Sequence, residues 1–291
     1  MKENLYFIGP GRAGLTLGWA LWEAGAVGEL VYCGRRPEPP LHPLFTQGIA
    51  RYSFGLEPPG VDTTAVFLAV PDDVLMEMAY ALAGQGSAPP GCAAFHMSGA
   101  RSTDVLSPLH ARGYPVGSFH LLQSLADPIR SAALIPGSYV AISGESAAVT
   151  TARRLLQHLD CNALAVPATR RPLYHAAAVS ASNHVIALVA LAARLLVEAG
   201  VDEDEAVPAL LPLVRGTLDN LERLGVRGSL TGPLARGDVE TLRLHLRMLG
   251  ERERDVYRSF SFELLEVAGS FGLDENVREE IGSLLEESGA R

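Results

Sequence analysis

The stretch Leu5-Tyr-Phe-Ile-Gly-Pro-Gly-Arg-Ala-Gly14 sets an apolar run directly against the spacing Gly9-x-Gly11-x-x-Gly14. An amphipathic segment, Leu15 to Ala24, follows and is closed by Gly25. Strand, glycine turn and helix in this order form the start of a dinucleotide-binding unit. Gly9 allows the tight turn, Gly11 lets the backbone approach a pyrophosphate, and Gly14 lets the helix pack close to its strand. The whole turn, Gly9, Pro10, Gly11, Arg12, Ala13 and Gly14, is therefore expected to cradle phosphates at a helix N-terminus.

Working outward, Leu30–Cys33, Ala65–Val70 and Cys92–His96 are short and nearly all apolar, as parallel strands covered on both faces are. Helical stretches over Asp72–Ala83 and Thr103–Arg112 separate several of them, and Val116–His120 and Tyr139–Ser143 extend the sheet. From about Thr169 onward strand patterns give way to helical periodicity over Pro172–Ala199, Asp204–Leu224, Asp238–Leu249, Glu251–Phe271 and Glu275–Ser288. The fold class is thus α/β, a doubly wound Rossmann-type parallel sheet (residues 1–166) followed by an all-α domain (residues 167–291).

Composition narrows the function. A net charge of −9 with no basic block argues against nucleic acid or an anionic membrane surface, and favours small molecules or protein as partners. Cys33, Cys92 and Cys161 are widely spaced, which suggests neither a disulfide framework nor a structural zinc site, and no other compact metal-ligand spacing occurs. A cytoplasmic location is expected. No secretory leader is expected either, since the chain reaches Gly9 before an apolar leader core could form. Pro172 to Ala193 is uncharged and long enough to span a bilayer, but it holds His175, Ser180, Ser182, Asn183 and His184, so a buried helix is expected there.

About twenty residues beyond the glycine turn, an NAD site places an acid on the ribose 2′-hydroxyl; this chain has Cys33-Gly34-Arg35-Arg36. Arg35 and Arg36 suit a 2′-phosphate, so NADP(H) is expected over NAD(H), and FAD is disfavoured for the same missing acid. Val66-Phe-Leu-Ala-Val-Pro-Asp-Asp73 would bring Ala69, Val70 and Pro71 to the carboxyl edge of a strand beside that cofactor. His96-Met-Ser98-Gly99 ends the next strand at the same edge, where Ser98 could bond nicotinamide or substrate or simply close a turn.

Of 24 basic residues only Lys2 is a lysine, which removes mechanisms that need an ammonium inside a site. Proton transfer falls to histidine, whose ordinary pKa lies near neutrality. His120 ends a strand at the substrate edge, and His175 opens the long helix that also carries Ser182 and Asn183. In Thr231-Gly-Pro-Leu-Ala-Arg-Gly-Asp238, Asp238 can cap the next helix and Arg236 is free to point elsewhere, either into solvent or to a substrate.

Taken together, Phe-Leu-Ala-Val-Pro-Asp-Asp, His-x-Ser-Gly-Ala, Ser-Phe-His-x-Leu-Gln-Ser, Tyr-His-Ala-Ala-Ala-Val-x-Ala-Ser-Asn and Leu-Thr-Gly-Pro-x-Ala-Arg-Gly-Asp follow the glycine turn in order. The chain resembles the uncharacterised Rossmann-like oxidoreductases that join an NADP domain to an α-helical domain of unknown function, relatives of pyrroline-5-carboxylate reductase and the β-hydroxyacid dehydrogenases. The resemblance implies a homodimer built through the helical domains and an active site in the cleft between NADP domain and long helix. It brings no substrate. Leu121 stands where the family usually has proline, and Val179 stands where the β-hydroxyacid dehydrogenases carry a lysine, so their proton-transfer mechanism does not carry over.

The resulting expectation is an NADP(H)-dependent oxidoreductase reducing a C=O or C=N bond of a small metabolite, anionic if Arg236 reaches it. His175 or His120 donates the proton; Asn183 and Ser98 orient the substrate. The alternative is a non-catalytic NADP-binding sensor or regulatory protein.

Overall fold

The computed structural model describes residues 2–286. Its elements run β1 (Glu3–Ile8), α1 (Arg12–Glu23), β2 (Val27–Gly34), α2 (Pro43–Thr46), β3 (Arg51–Phe54), β4 (Ala65–Leu68), α3 (Leu75–Ala83), β5 (Ala93–His96), α4 (Ser107–His110), β6 (Val116–Leu121), α5 (Pro128–Ala132), β7 (Tyr139–Gly144), α6 (Ser146–His158) and β8 (Asn162–Ala165). The helices α7 (Arg171–Glu198), α8 (Glu203–Ser229), α9 (Val239–Met248), α10 (Glu251–Gly269) and α11 (Glu275–Glu286) complete it. Two residues of the helix expected to end at Ser288 lie outside the described residues.

One eight-stranded sheet has the order β3-β2-β1-β4-β5-β6-β7-β8. Its first six positions are parallel and carry the strand order of a dinucleotide-binding sheet. The chain order reverses at β1/β4, which opens a crevice at the carboxyl ends of those strands. β7 pairs antiparallel with β6, and β8 parallel with β7, so the sheet is mostly rather than wholly parallel.

Alternation along the strands feeds two cores. Phe7, Tyr32, Phe67, Phe95 and Phe119 face α1 and α6, and their rings form a row, with Phe7–Tyr32, Phe7–Phe67 and Phe67–Phe95 stacked at 4.7, 5.0 and 5.3 Å. Tyr6, Ile8, Val66, Leu68 and Ala94 face α3. Glu3 is buried at the foot of β1, where Arg154 of α6 binds both carboxylate oxygens. Burial opposes that charge, but the Arg154 bonds prevail and hold its pKa below the ordinary carboxylate range.

By its internal contacts the chain divides into two compact units, Met1–Asn183 and His184–Arg291. The second unit has its own core of Leu234, Leu242, Leu246, Leu265, Ile281, Leu284 and Leu285. In α8 the helical path breaks at Gly225, whose φ of 67° and ψ of 179° suit glycine, next to the end expected at Leu224.

Three local expectations are corrected. β4 ends at Leu68, leaving Ala69 and Val70 as an extended exit. α3 starts at Leu75 rather than Asp72, because Pro71–Val74 close a turn and the Asp72 carboxylate accepts a bond from Ser98 Oγ instead of capping a helix. α7 is not a buried helix: Arg171 is its one fully buried residue, and the rest is half-buried or exposed. Residues Ala168–Glu198 are long and apolar enough, by length and composition, to cross a membrane.

Candidate active site

At the end of β1, Gly9 takes φ +98°, and a Cβ there would lie 2.7 Å from the Ala69 carbonyl oxygen and 3.0 Å from Val70 Cγ1. A Cβ on Gly14 would lie 2.9 Å from Ala69 Cβ and 3.0 Å from the Gly9 oxygen. These two glycines are therefore demanded by the protein's own packing. Gly11 is different: a Cβ there would make only ordinary contact, 3.6 Å from the Ala69 oxygen. Gly11 is also the N-cap of α1 and offers no side-chain cap to its first N–H groups. An anion approaching those groups fits the turn as built.

Arg35 and Arg36 follow β2 at the adjacent strand end and are exposed, as is Arg12. Tyr52 Oη donates to the Arg36 carbonyl oxygen at 2.6 Å, which ties down the backbone of this loop and leaves the guanidinium out of the bond. None of the three arginines takes part in an ion pair among the described residues.

The carboxyl ends of β5 and β6 carry a second constellation. His96 ends β5, fully buried, with no well-formed hydrogen bond to either ring nitrogen. Burial, then the charges of Arg171 and His120, push its pKa down to about 3. His120, on β6, contacts two residues of the first turn of α7: its Nδ1 lies 2.7 Å from Tyr174 Oη, and its ring meets the His175 ring edge-on with centroids 5.9 Å apart. Burial first, then Arg171 and His175, lower His120 to about 4, while Asp72 pulls the other way.

Arg171 locks this cluster in place. It is 0% exposed, donating from Nη1 to Ser118 Oγ at 2.8 Å and from Nη2 to the Ser98 carbonyl oxygen at 2.6 Å. Ser118 Oγ shares a second bond with Ser143 Oγ at 2.8 Å. Residues 171, 174 and 175 sit at i, i+3 and i+4, so one helical face presents guanidinium, phenol and imidazole together. Gly99 makes room for them, because a side chain there would collide with His175 Nδ1 and His120 Nε2.

The first unit thus gathers Gly9–Gly14, Ala69–Pro71, Ser98 and His120 at one sheet edge, with His175 against His120. The Ser98 hydroxyl donates to Asp72 at 2.7 Å and accepts from the amides of Ala100 and Arg101, so its bonds are spent on the turn. Asn183 is exposed further along α7, its side-chain oxygen accepting from Ser182 Oγ at 2.9 Å. Arg236 is exposed in the second unit, in a short turn before Asp238, which caps α9 through the Thr241 amide at 3.1 Å. Sequence reasoning missed Arg171, Tyr174 and His96. The spacing Arg-x-x-Tyr-His at a helix start was the available signal for the first two.

Comparison with known proteins places these features in a family context. Residues 56–120 match the model of a Rossmann-like domain, and residues 138–263 match a domain of unknown function, DUF2520. No curated protein matches the sequence. Among solved structures, a Thermotoga maritima protein superposes with a TM-score of 0.70 at 24% identity, covering 91% of this chain and 98% of its own. A Bacteroides fragilis protein, provisionally named an NADP oxidoreductase, gives 0.70 at 21% identity over 90% and 97%. Pyrroline carboxylate reductase of Plasmodium falciparum, solved with NADP bound, gives 0.62 at 11% identity over 97% and 98%. At these identities the likeness establishes the fold.

Gly99→Ala is expected to separate the two imidazoles and cost about 1–3 kcal/mol through overpacking, because the neighbouring atoms belong to held rings rather than free chain ends. Thermal unfolding checks the cost. An unchanged melting temperature would show that the cluster yields without strain.

Proposed function

We propose that the protein is an NADP(H)-dependent oxidoreductase that reduces a C=O or C=N bond of a small metabolite. The observation that carries this reading is the turn at the β1/β4 switch point, where the fold demands Gly9 and Gly14 but would admit a side chain at Gly11, the uncapped N-terminus of α1. The NADP held by the Plasmodium relative of the same fold supports the cofactor assignment.

In this reading Gly9 to Gly14 hold the pyrophosphate, with Pro10, Arg12 and Ala13 shaping the turn, and Arg35 and Arg36 take the 2′-phosphate. Ala69, Val70 and Pro71 border the nicotinamide. Bound there, the cofactor supplies a hydride, and the protein supplies position and a proton. His120 or His175 gives that proton to the oxygen or nitrogen of the reduced bond. Ser98 acts through the turn it closes, and Asn183 orients the substrate. The uncovered apolar surface of α7 supports a homodimer, and three free cysteines support a cytoplasmic location.

Calorimetry is expected to show tighter binding of NADP(H) than NAD(H), with the preference erased in the Arg35→Ala, Arg36→Ala double variant. Equal affinity of the wild type for both cofactors would sink the assignment of the loop. A panel of small carbonyl and imine compounds is expected to yield saturable NADPH oxidation, lowered about 10²-fold or more by loss of the proton donor. Tight NADP binding without turnover across the panel would instead favour a sensor or regulatory protein. Light scattering at micromolar concentration is expected to return the mass of a dimer, and a monomer would contradict the proposed role of α7.

A further inference from the structure

We propose that Arg171 is a positioning residue: together with Tyr174 it holds His120 as a neutral imidazole with its proton on Nε2, the nitrogen directed at Gly99 and His175. The inference begins with hydrogen-bond bookkeeping. Tyr174 Oη and His120 Nδ1 are 2.7 Å apart, and one of them must donate. Burial keeps the Tyr174 phenol above its ordinary pKa despite the nearby guanidinium, so at neutral pH it carries a proton. No second acceptor is bonded to Oη among the described residues, and donation to Nδ1 is what satisfies it. His120 then bears its own hydrogen on Nε2.

The charge state follows from the neighbours. Arg171 is fully buried, and both its bonds go to neutral oxygens, Ser118 Oγ and the Ser98 carbonyl. Its guanidinium also lies 5.9 Å from the centre of the Tyr174 ring. A second positive charge on His120 would face this buried cation, which Asp72 offsets only in part, in a poorly solvated place. From β5 the cluster is faced by His96, from α7 by His175, and from the exit of β4 by Asp72. Asp72 is the one carboxylate acting on His120, and it is already engaged by Ser98 Oγ and by Arg101 at 3.9 Å. Burial and the Arg171 guanidinium outweigh it, in line with the depressed pKa of His120, about 4.

The consequence is a hydrogen-bond donor, aimed at a developing negative charge, that does not switch off as pH rises through 6 and 7. A histidine at its ordinary pKa would lose its imidazolium there; a neutral Nε2–H remains available across that range. Its use as a hydrogen-bond donor to the bond being reduced rests on the reductase reading above, and leaves His175 to give the transferred proton; tautomer and charge state do not rest on that reading.

Long-range ¹H–¹⁵N spectra of the full-length protein with labelled histidines test this directly, with His120→Gln identifying the signal. The wild type is expected to show protonated Nε2 and bare Nδ1 on His120 from pH 5.5 to 8. Arg171→Met is expected to raise its pKa by about one unit, tenfold in proton affinity. Tyr174→Phe is expected to populate the Nδ1–H tautomer while leaving the fold intact. A wild-type His120 that takes its second proton near pH 6.5, or that carries its single proton on Nδ1, overturns the proposal whether or not Arg171→Met folds. So does a folded Arg171→Met protein with an unmoved His120 titration, which would make Arg171 structural only. Absence of NADPH turnover with the expected spectra would remove the reductase reading and leave this inference standing.

Discussion

The contact of Gly9 and Gly14 with Ala69 is the constraint on which the first unit turns. It brings the β1–α1 turn against the exit of β4 at the one place where strand order reverses. Leu15, Leu17 and Leu21 of α1 then pack on one face of the sheet, and Leu75, Ala79 and Leu82 of α3 on the other. Helices leaving in opposite directions open the crevice. A methyl group at position 9 or 14 would press on backbone and Cβ atoms that cannot give way cheaply, so the crevice and the tight turn are one requirement.

Arg171 makes the comparable demand at the next strand ends. A buried guanidinium with only neutral partners costs desolvation that hydrophobic residues would avoid, and stability alone is a poor reason to keep one. What it secures is geometry: the first turn of α7 is tied to β5 through Ser98 and to β6 through Ser118. Tyr174 and His175 follow automatically from helical spacing. Three imidazoles, a phenol and a cation then occupy one small region at the carboxyl edge of the sheet.

The sequence made legible whatever rests on local pattern. The apolar cores of β1, β2, β4, β5, β6 and β7 and the glycine turn were readable because parallel strands covered on both faces leave unbroken apolar runs. β3 and β8 were not, since Arg51 and Phe54 are exposed, as are three of the four residues of β8, and edge strands carry no such run. The start of α3 was misread because Asp72 is a good helix-start residue whose carboxylate is drawn to Ser98, a contact 26 residues away in sequence. For the candidate site, His120 and His175 could be picked by residue chemistry, but their meeting depends on Gly99, which carries no side chain to notice. Arg171 stands just ahead of the uncharged run that opens at Pro172; only the tertiary fold removes it from water.

The two strands that escaped notice also govern how the sheet ends. β3 and β8 are four residues each, one at either edge of the eight-stranded sheet. Each offers a foreign strand few free backbone groups, and Arg51 on β3 is charged and exposed. A broad sheet with long bare margins would be a template for further strands. Tapered margins let this one stop at eight, at the same weakly patterned positions that contribute least to its core.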